Sequence, residues 1–126
     1  MTVHYLHTKL RVRDLDAAIR FYETALGYAV RSRRPGPNDS EIAFLTLPDQ
    51  SAELQLAHYA AGEPFEVPAH MTHLAFKVDD LAAIHARALA AGATPASGPY
   101  TLPSGSIVAF IQDPNGYDME LVQKPR

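Results

Sequence analysis

His7-Thr8-Lys9-Leu10-Arg11-Val12-Arg13-Asp14-Leu15 reads as a strand running into a helix cap, and the pattern occurs twice. Shifted by 66 residues it lies over His73-Leu74-Ala75-Phe76-Lys77-Val78-Asp79-Asp80-Leu81. The match keeps the histidine, a cation four residues on, then Val, Asp and Leu. Further along, Ile42-Ala43-Phe44-Leu45 lies over Val108-Ala109-Phe110-Ile111. At an offset of 65, Leu54-Gln55-Leu56 lies over Met119-Glu120-Leu121, and His4 lies over His70. Matches that keep the same order along both halves mark one supersecondary unit used twice.

Each half has the same order of elements. Leu6 to Val12 alternates as a strand does. Asp14 offers an N-cap, and Leu15, Ile19, Tyr22 and Leu26 have helical spacing up to Gly27. Three strands follow, near Tyr28–Arg34, Glu41–Leu47 and Ala52–His58, with Pro35-Gly36-Pro37-Asn38-Asp39 as a loop. In the second half the strand is His73–Val78, Asp80 is the cap, and the helix Leu81–Ala91 stops at Gly92. The later strands fall near Thr94–Leu102, Ile107–Gln112 and Tyr117–Gln123, with Asp113-Pro114-Asn115-Gly116 as a turn. The fold class is α+β, with paired β-α-β-β-β modules. The 126 residues make one domain of two modules, about 1–60 and 70–126, joined near Ala60–Ala69.

Strand parity selects the residues that can share a site, because alternate side chains point to opposite faces. Leu6, Thr8, Leu10 and Val12 suit packing under a helix, which leaves Tyr5, His7, Lys9 and Arg11 on the other face. The same counting places Glu53, Gln55, His73, Lys77, Asp118 and Glu120 on that second face. Ala43, Leu45, Ala109 and Ile111 are expected there too, which makes the cavity partly dry, and Glu41 shares the parity. Two histidines, one carboxylate and one amide (His7, His73, Glu120 and Gln55) form a nitrogen and oxygen donor set. Without sulfur, it suits a divalent ion such as Ni, Zn, Co, Mn or Fe. His4 and His70 lie an odd three residues before the ligands and read as strand-entry residues. His58 and His85 read as structural or solvated.

Composition narrows the classes further. No cysteine is present, so disulfides and thiolate chemistry are excluded. A net charge of −3 gives no reason to expect nucleic acid or an anionic membrane as partner. Arg31-Ser32-Arg33-Arg34 is basic but short, and reads as a solvated strand end or loop rather than a polyanion site. No apolar run approaches membrane-spanning length, and the N-terminus does not resemble a signal peptide. A cytoplasmic protein is expected.

These residues resemble the vicinal-oxygen-chelate superfamily, and most closely glyoxalase I (lactoylglutathione lyase). The likeness is carried by His7–Leu15, by Phe21-Tyr22 through Leu26-Gly27, and by His73–Asp79. It is carried above all by Phe110-Ile111-Gln112-Asp113-Pro114-Asn115-Gly116-Tyr117-Asp118-Met119-Glu120-Leu121. The resemblance implies modules that form a curved sheet cupping a divalent metal, with His7, Gln55, His73 and Glu120 as ligands. It implies a homodimer, and Arg11 matches an arginine that binds a carboxylate of glutathione. Lys77, its repeat mate, is a second candidate for anchoring substrate. Two positions depart from the bacterial glyoxalase I pattern. Gln55 stands where Glu is usual, and His58-Tyr59 stands where an Asn for glutathione is usual.

The implied reaction is a metal-assisted proton shift on the hemithioacetal of a 2-oxoaldehyde and a thiol, by way of an enediolate. Glu120, the only carboxylate of the set, is the expected base, since the Gln55 amide does not titrate. The order His, Gln, His, Glu is also similar to methylmalonyl-CoA epimerase, for which Glu41 is a candidate second base. Dioxygenases and non-catalytic drug-binding proteins of the superfamily are the remaining alternatives.

Overall fold

Asp14 ends the first strand and begins the first helix. In the computed structural model, which describes Met1–Arg126, β1 covers His7–Arg11 and α1 covers Leu15–Leu26. The Asp14 carboxylate accepts the Ala17 N–H at 3.0 Å. It thereby satisfies one of the helix donors that has no intrahelical partner. Gly27 closes α1 in the left-handed region, with φ 82°, and its N–H reaches the Glu23 carbonyl. Leu15, Ala18, Ile19, Tyr22 and Ala25 form a buried stripe that packs on β3 (Ser40–Thr46) and β4 (Glu53–Tyr59). The sheet is completed by β2 (Ala29–Gly36) in the order β1-β4-β3-β2, with β1 parallel to β4 and the other pairs antiparallel.

The second half repeats this plan. β5 (His73–Lys77) leads through the Asp80 cap into α2 (Leu81–Ala90), followed by β6 (Thr94–Thr101), β7 (Ile107–Gln112) and β8 (Asp118–Gln123). Its sheet runs β5-β8-β7-β6, again with one parallel pair, β5 and β8. Backbone contacts group the chain into two units, Met1–Pro64 and Phe65–Arg126. No helix is long and apolar enough to cross a membrane.

Two details differ from the sequence expectation. The second helix ends at Ala90 rather than Ala91, and Gly92 takes the left-handed turn just beyond the cap, with φ 116°. β2 runs through Pro35 and Gly36, so the loop shrinks to Pro37-Asn38-Asp39. An edge strand tolerates Pro35 because one side of its backbone needs no ladder partner. Asn38 and Asp39 both adopt positive φ, which lets so short a turn reverse the chain. At the 113–116 turn the Asp113 carboxylate accepts the N–H groups of Asn115 at 2.9 Å and Tyr117 at 2.8 Å. That turn fixes where β8 begins.

The largest correction concerns the inner strands. Gln55 lies opposite Phe44, while Leu54 and Leu56 lie opposite Leu45 and Ala43. Paired residues share a face, so Phe44 and Ile42 stand on the Gln55 face. Ala43 and Leu45, fully buried, belong to the helix side. In the second unit Phe110 opposes Glu120, while Ala109 and Ile111 oppose Leu121 and Met119. Glu41 lies opposite His58, away from Gln55, and its carboxylate is 2.9 Å from Arg33. It does not stand on the ligand face. Both faces of β3 and β7 are apolar, so alternation alone carries no contrast from which to choose between them.

Candidate active site

In the first unit the polar face is a grid fixed by strand register. Lys9, Gln55, Phe44 and Ser32 form one row across the four strands, and Arg11, Ala57, Ile42 and Arg34 form the next. His7 stands beside Glu53 at one end. The His7 ring meets the Phe44 ring edge-on, with centroids 5.6 Å apart. Gln55 is buried at 8% exposure, a position that suits a neutral amide better than an unpaired carboxylate. His7, Phe44, Glu53, Arg31, Ser32, Arg34 and Leu6 line a cleft of about 380 Å³. Phe44 therefore lines the candidate site beside Glu53, although strand parity had placed Phe44 on the helix side. The repeat had carried a signal for the phenylalanine, since Phe44 and Phe110 match at the same offset.

Arg11 is anchored rather than free. Its Nη2 donates to the Glu63 carbonyl at 2.6 Å, and its guanidinium lies 5.5 Å from the Tyr59 ring centroid. Lys9 donates to the Tyr59 hydroxyl. Gly62 makes this possible, because a Cβ there would collide with the Arg11 guanidinium.

The second unit reproduces the arrangement with different ligand chemistry. His73 Nε2 lies 3.4 Å from Glu120 Oε1. The His73 ring meets Phe110 edge-on at 5.4 Å, as His7 meets Phe44. Lys77, exposed, pairs in register with Val122 and so stands two residues along the same face. Asp118 is buried beside His73; its carboxylate accepts the His70 backbone N–H at 3.0 Å and the Gln112 amide at 3.1 Å. The His70 N–H is the main reason that this carboxyl sits below its ordinary range. His70 is in a turn with φ 63°, as a strand-entry residue should be, yet it lines a cleft of about 330 Å³ with His73, Ser97, Phe110 and Asp118. Counting strand steps does not apply to a turn, so the odd spacing from His73 does not keep the two apart. His58 faces the other way, with Nδ1 3.2 Å from the Val12 carbonyl, and His85 is half-buried on α2. His4 precedes β1 and is exposed.

The family model described as the Glyoxalase/Bleomycin resistance protein/Dioxygenase superfamily matches residues 4–121. The chain belongs to this superfamily. It is 35% identical over 124 residues to a lactoylglutathione lyase of Haemophilus influenzae, covering 94% of this chain and 90% of that one. Glyoxalase I from Zea mays superposes with a TM-score of 0.83 at 26% identity, over 97% of this chain and 45% of that one. The chain thus spans about half the length of the maize enzyme. The trypanothione-dependent glyoxalase I of Leishmania major superposes with a TM-score of 0.80 at 28% identity, over 98% and 88% of the two chains.

The donors of the second unit fit a divalent metal. Two ligands about 2.1 Å from a tetrahedral ion lie roughly 3.4 Å apart, and His73 and Glu120 have that separation at 3.4 Å. His7 and Gln55 occupy the matching register positions in the first unit. No three His, Asp or Glu side chains of the chain converge to hold an ion.

Proposed function

We propose that this protein is a metal-dependent, glyoxalase I-like lyase that isomerises the hemithioacetal of a 2-oxoaldehyde and a thiol to a 2-hydroxyacyl thioester. The observation that carries the reading is the His73–Glu120 pair, 3.4 Å apart on one sheet face, repeated as His7 and Gln55 in the other unit. Relatives named lactoylglutathione lyase support the same class. We place the protein in the cytoplasm as a homodimer.

His7, Gln55, His73 and Glu120 would hold the ion, which supplies positive charge to stabilise the oxyanions that develop on the substrate. Glu120 is the base. Its carboxylate takes the proton from the hydroxyl-bearing carbon and returns it to the neighbouring carbon, so the reaction is an internal rearrangement with no net loss of atoms or electrons. Gln55 stays neutral and leaves the site about one charge more positive than two carboxylates would. Arg11, held by Glu63 and Tyr59, would receive a carboxylate of the thiol, and Lys77 would offer a second cation. Phe44 and Phe110 stand edge-on to the two histidine rings. Epimerisation with inversion needs a second base, and Glu41, held by Arg33 on the other face, does not supply it.

The test is metal analysis of the purified protein, followed by an assay of methylglyoxal with glutathione and, separately, with trypanothione. Stoichiometric metal and turnover with one thiol are expected. Protein that takes up no metal and is inactive with both thiols contradicts the proposal.

A further inference from the structure

The run Arg31-Ser32-Arg33-Arg34 puts three guanidinium groups on one edge strand, and their surroundings differ. Arg33 points to the helix side, where Glu41 at 2.9 Å and Asp16 at 2.5 Å neutralise it. Arg31 sits at the bulge of β2 and lies 3.5 Å from Glu53. Arg34 makes no ion pair. It stands opposite Ile42 on the ligand face, with its guanidinium 5.0 Å from the Phe44 ring centroid. Stacking on an aromatic ring fixes the plane of the fork while leaving its N–H donors unused. Phe44 is the same ring that meets His7 edge-on, so this unpaired cation sits one aromatic ring from a proposed metal ligand, in the same cleft.

We infer that Arg34 recognises a carboxylate on the acyl part of the substrate, so that the protein prefers anionic 2-oxoaldehydes to neutral ones; this rests on the function proposed above. The layout of the sheet separates this role from thiol binding. Arg11 and Lys9 are on β1 and Arg34 is on β2, the two outer strands of the sheet. Three strand spacings put them roughly 14 Å apart, with Gln55 on β4 and Phe44 on β3 between them. A thiol anchored at Arg11 then leaves Arg34 on the far side of the reacting carbons, where the acyl group must extend. The charge count of the cleft favours a monoanion, since Glu53 cancels Arg31 and leaves one positive charge at Arg34. A planar fork with free donors matches a carboxylate through two parallel hydrogen bonds.

The test uses matched, unreactive thioethers, S-benzylglutathione and S-(4-carboxybenzyl)glutathione, titrated calorimetrically into wild type and Arg34→Gln. Wild type is expected to bind the carboxylated ligand about tenfold more tightly. Arg34→Gln is expected to abolish that preference and to leave the benzyl ligand unchanged. Equal affinities in wild type, or binding of neither ligand, overturn the inference. So does an Arg34→Gln protein weakened equally toward both ligands, which would place a carboxylate of the thiol at Arg34. A parallel assay compares the glutathione adducts of phenylglyoxal and 4-carboxyphenylglyoxal. An Arg34-dependent binding preference without turnover of either adduct would sink the lyase reading and uphold this site.

Discussion

The two units share strand order, cap chemistry and a histidine set edge-on to a phenylalanine, but they differ in how deeply they bury their parts. α1 buries Leu15, Ala18, Ile19, Phe21, Tyr22 and Ala25, whereas α2 buries only Leu81 and Ala88. Leu10 and Val12 of the first unit are buried, while Leu74, Phe76 and Val78 of the second are half-exposed. The proposed ligands follow the same contrast. Gln55 is buried, and the side chain of Glu120 is 23% exposed beside a His73 side chain at 45%. A neutral amide tolerates a dry position, whereas a carboxylate needs water or a cation to remain charged. The first unit is therefore the better-packed scaffold, and the second carries the proposed base.

The largest effect expected from that division is at Glu120. Glu120→Gln keeps the shape and removes the base, so kcat/KM with the active thiol should fall by about 10²–10⁴, with the thermal midpoint little changed. Loss of the same size in Gln55→Glu, with Glu120→Gln active, would reverse the roles of the two units.

Next in size is the packing contrast. The Tyr22 ring is wholly buried and packs edge-on against Phe21 and Tyr28. Tyr22→Ala should destabilise the protein by about 3–5 kcal/mol in urea unfolding. Ile84→Ala, on the half-buried face of α2, should lose roughly 1–2 kcal/mol. Equal losses would show that the second helix is as well buried as the first.

Gln55→Glu sharpens the comparison at the ligand position itself. In metal-free protein near neutral pH, a carboxylate at this buried site should lower stability by about 1–3 kcal/mol. Added divalent ion should restore most of it, because the charge then has a partner. A destabilisation unmoved by metal would place residue 55 outside the coordination set.

The smallest expected effect is a pH dependence in the first unit. Burial, with the Tyr5 phenol adding to it, pushes the Tyr28 hydroxyl from 10.0 up to about 12. The fold therefore favours the neutral phenol. Its contribution is complete below about pH 10 and is lost as pH rises towards 12. Urea midpoints measured from pH 8 to 11 should fall less steeply above pH 10 in Tyr28→Phe than in wild type.

Much of this was legible in the sequence for a physical reason. The repeat fixes element order, and capping aspartates followed by helical spacing mark where each helix starts. Parity was sufficient for β1, β4, β5 and β8, because each has one apolar and one polar face. It failed for β3 and β7, where Ile42-Ala43-Phe44-Leu45 and Val108-Ala109-Phe110-Ile111 are apolar on both faces. Only the register against Gln55 and Glu120 identifies Phe44 and Phe110 as the residues beside the ligands. Arg34 was equally hidden. A run of basic residues looks solvated until cross-strand partners show that Arg33 and Arg31 are neutralised and Arg34 is not.

The proposed metal site takes His7 and Gln55 together with His73 and Glu120. Calorimetric titration of metal-free protein with Ni or Zn tests it directly, in wild type, His7→Ala and His73→Ala. One ion per chain is expected in wild type, with affinity reduced at least tenfold in both variants. Binding that survives His7→Ala unchanged, or the absence of stoichiometric binding in wild type, would contradict it.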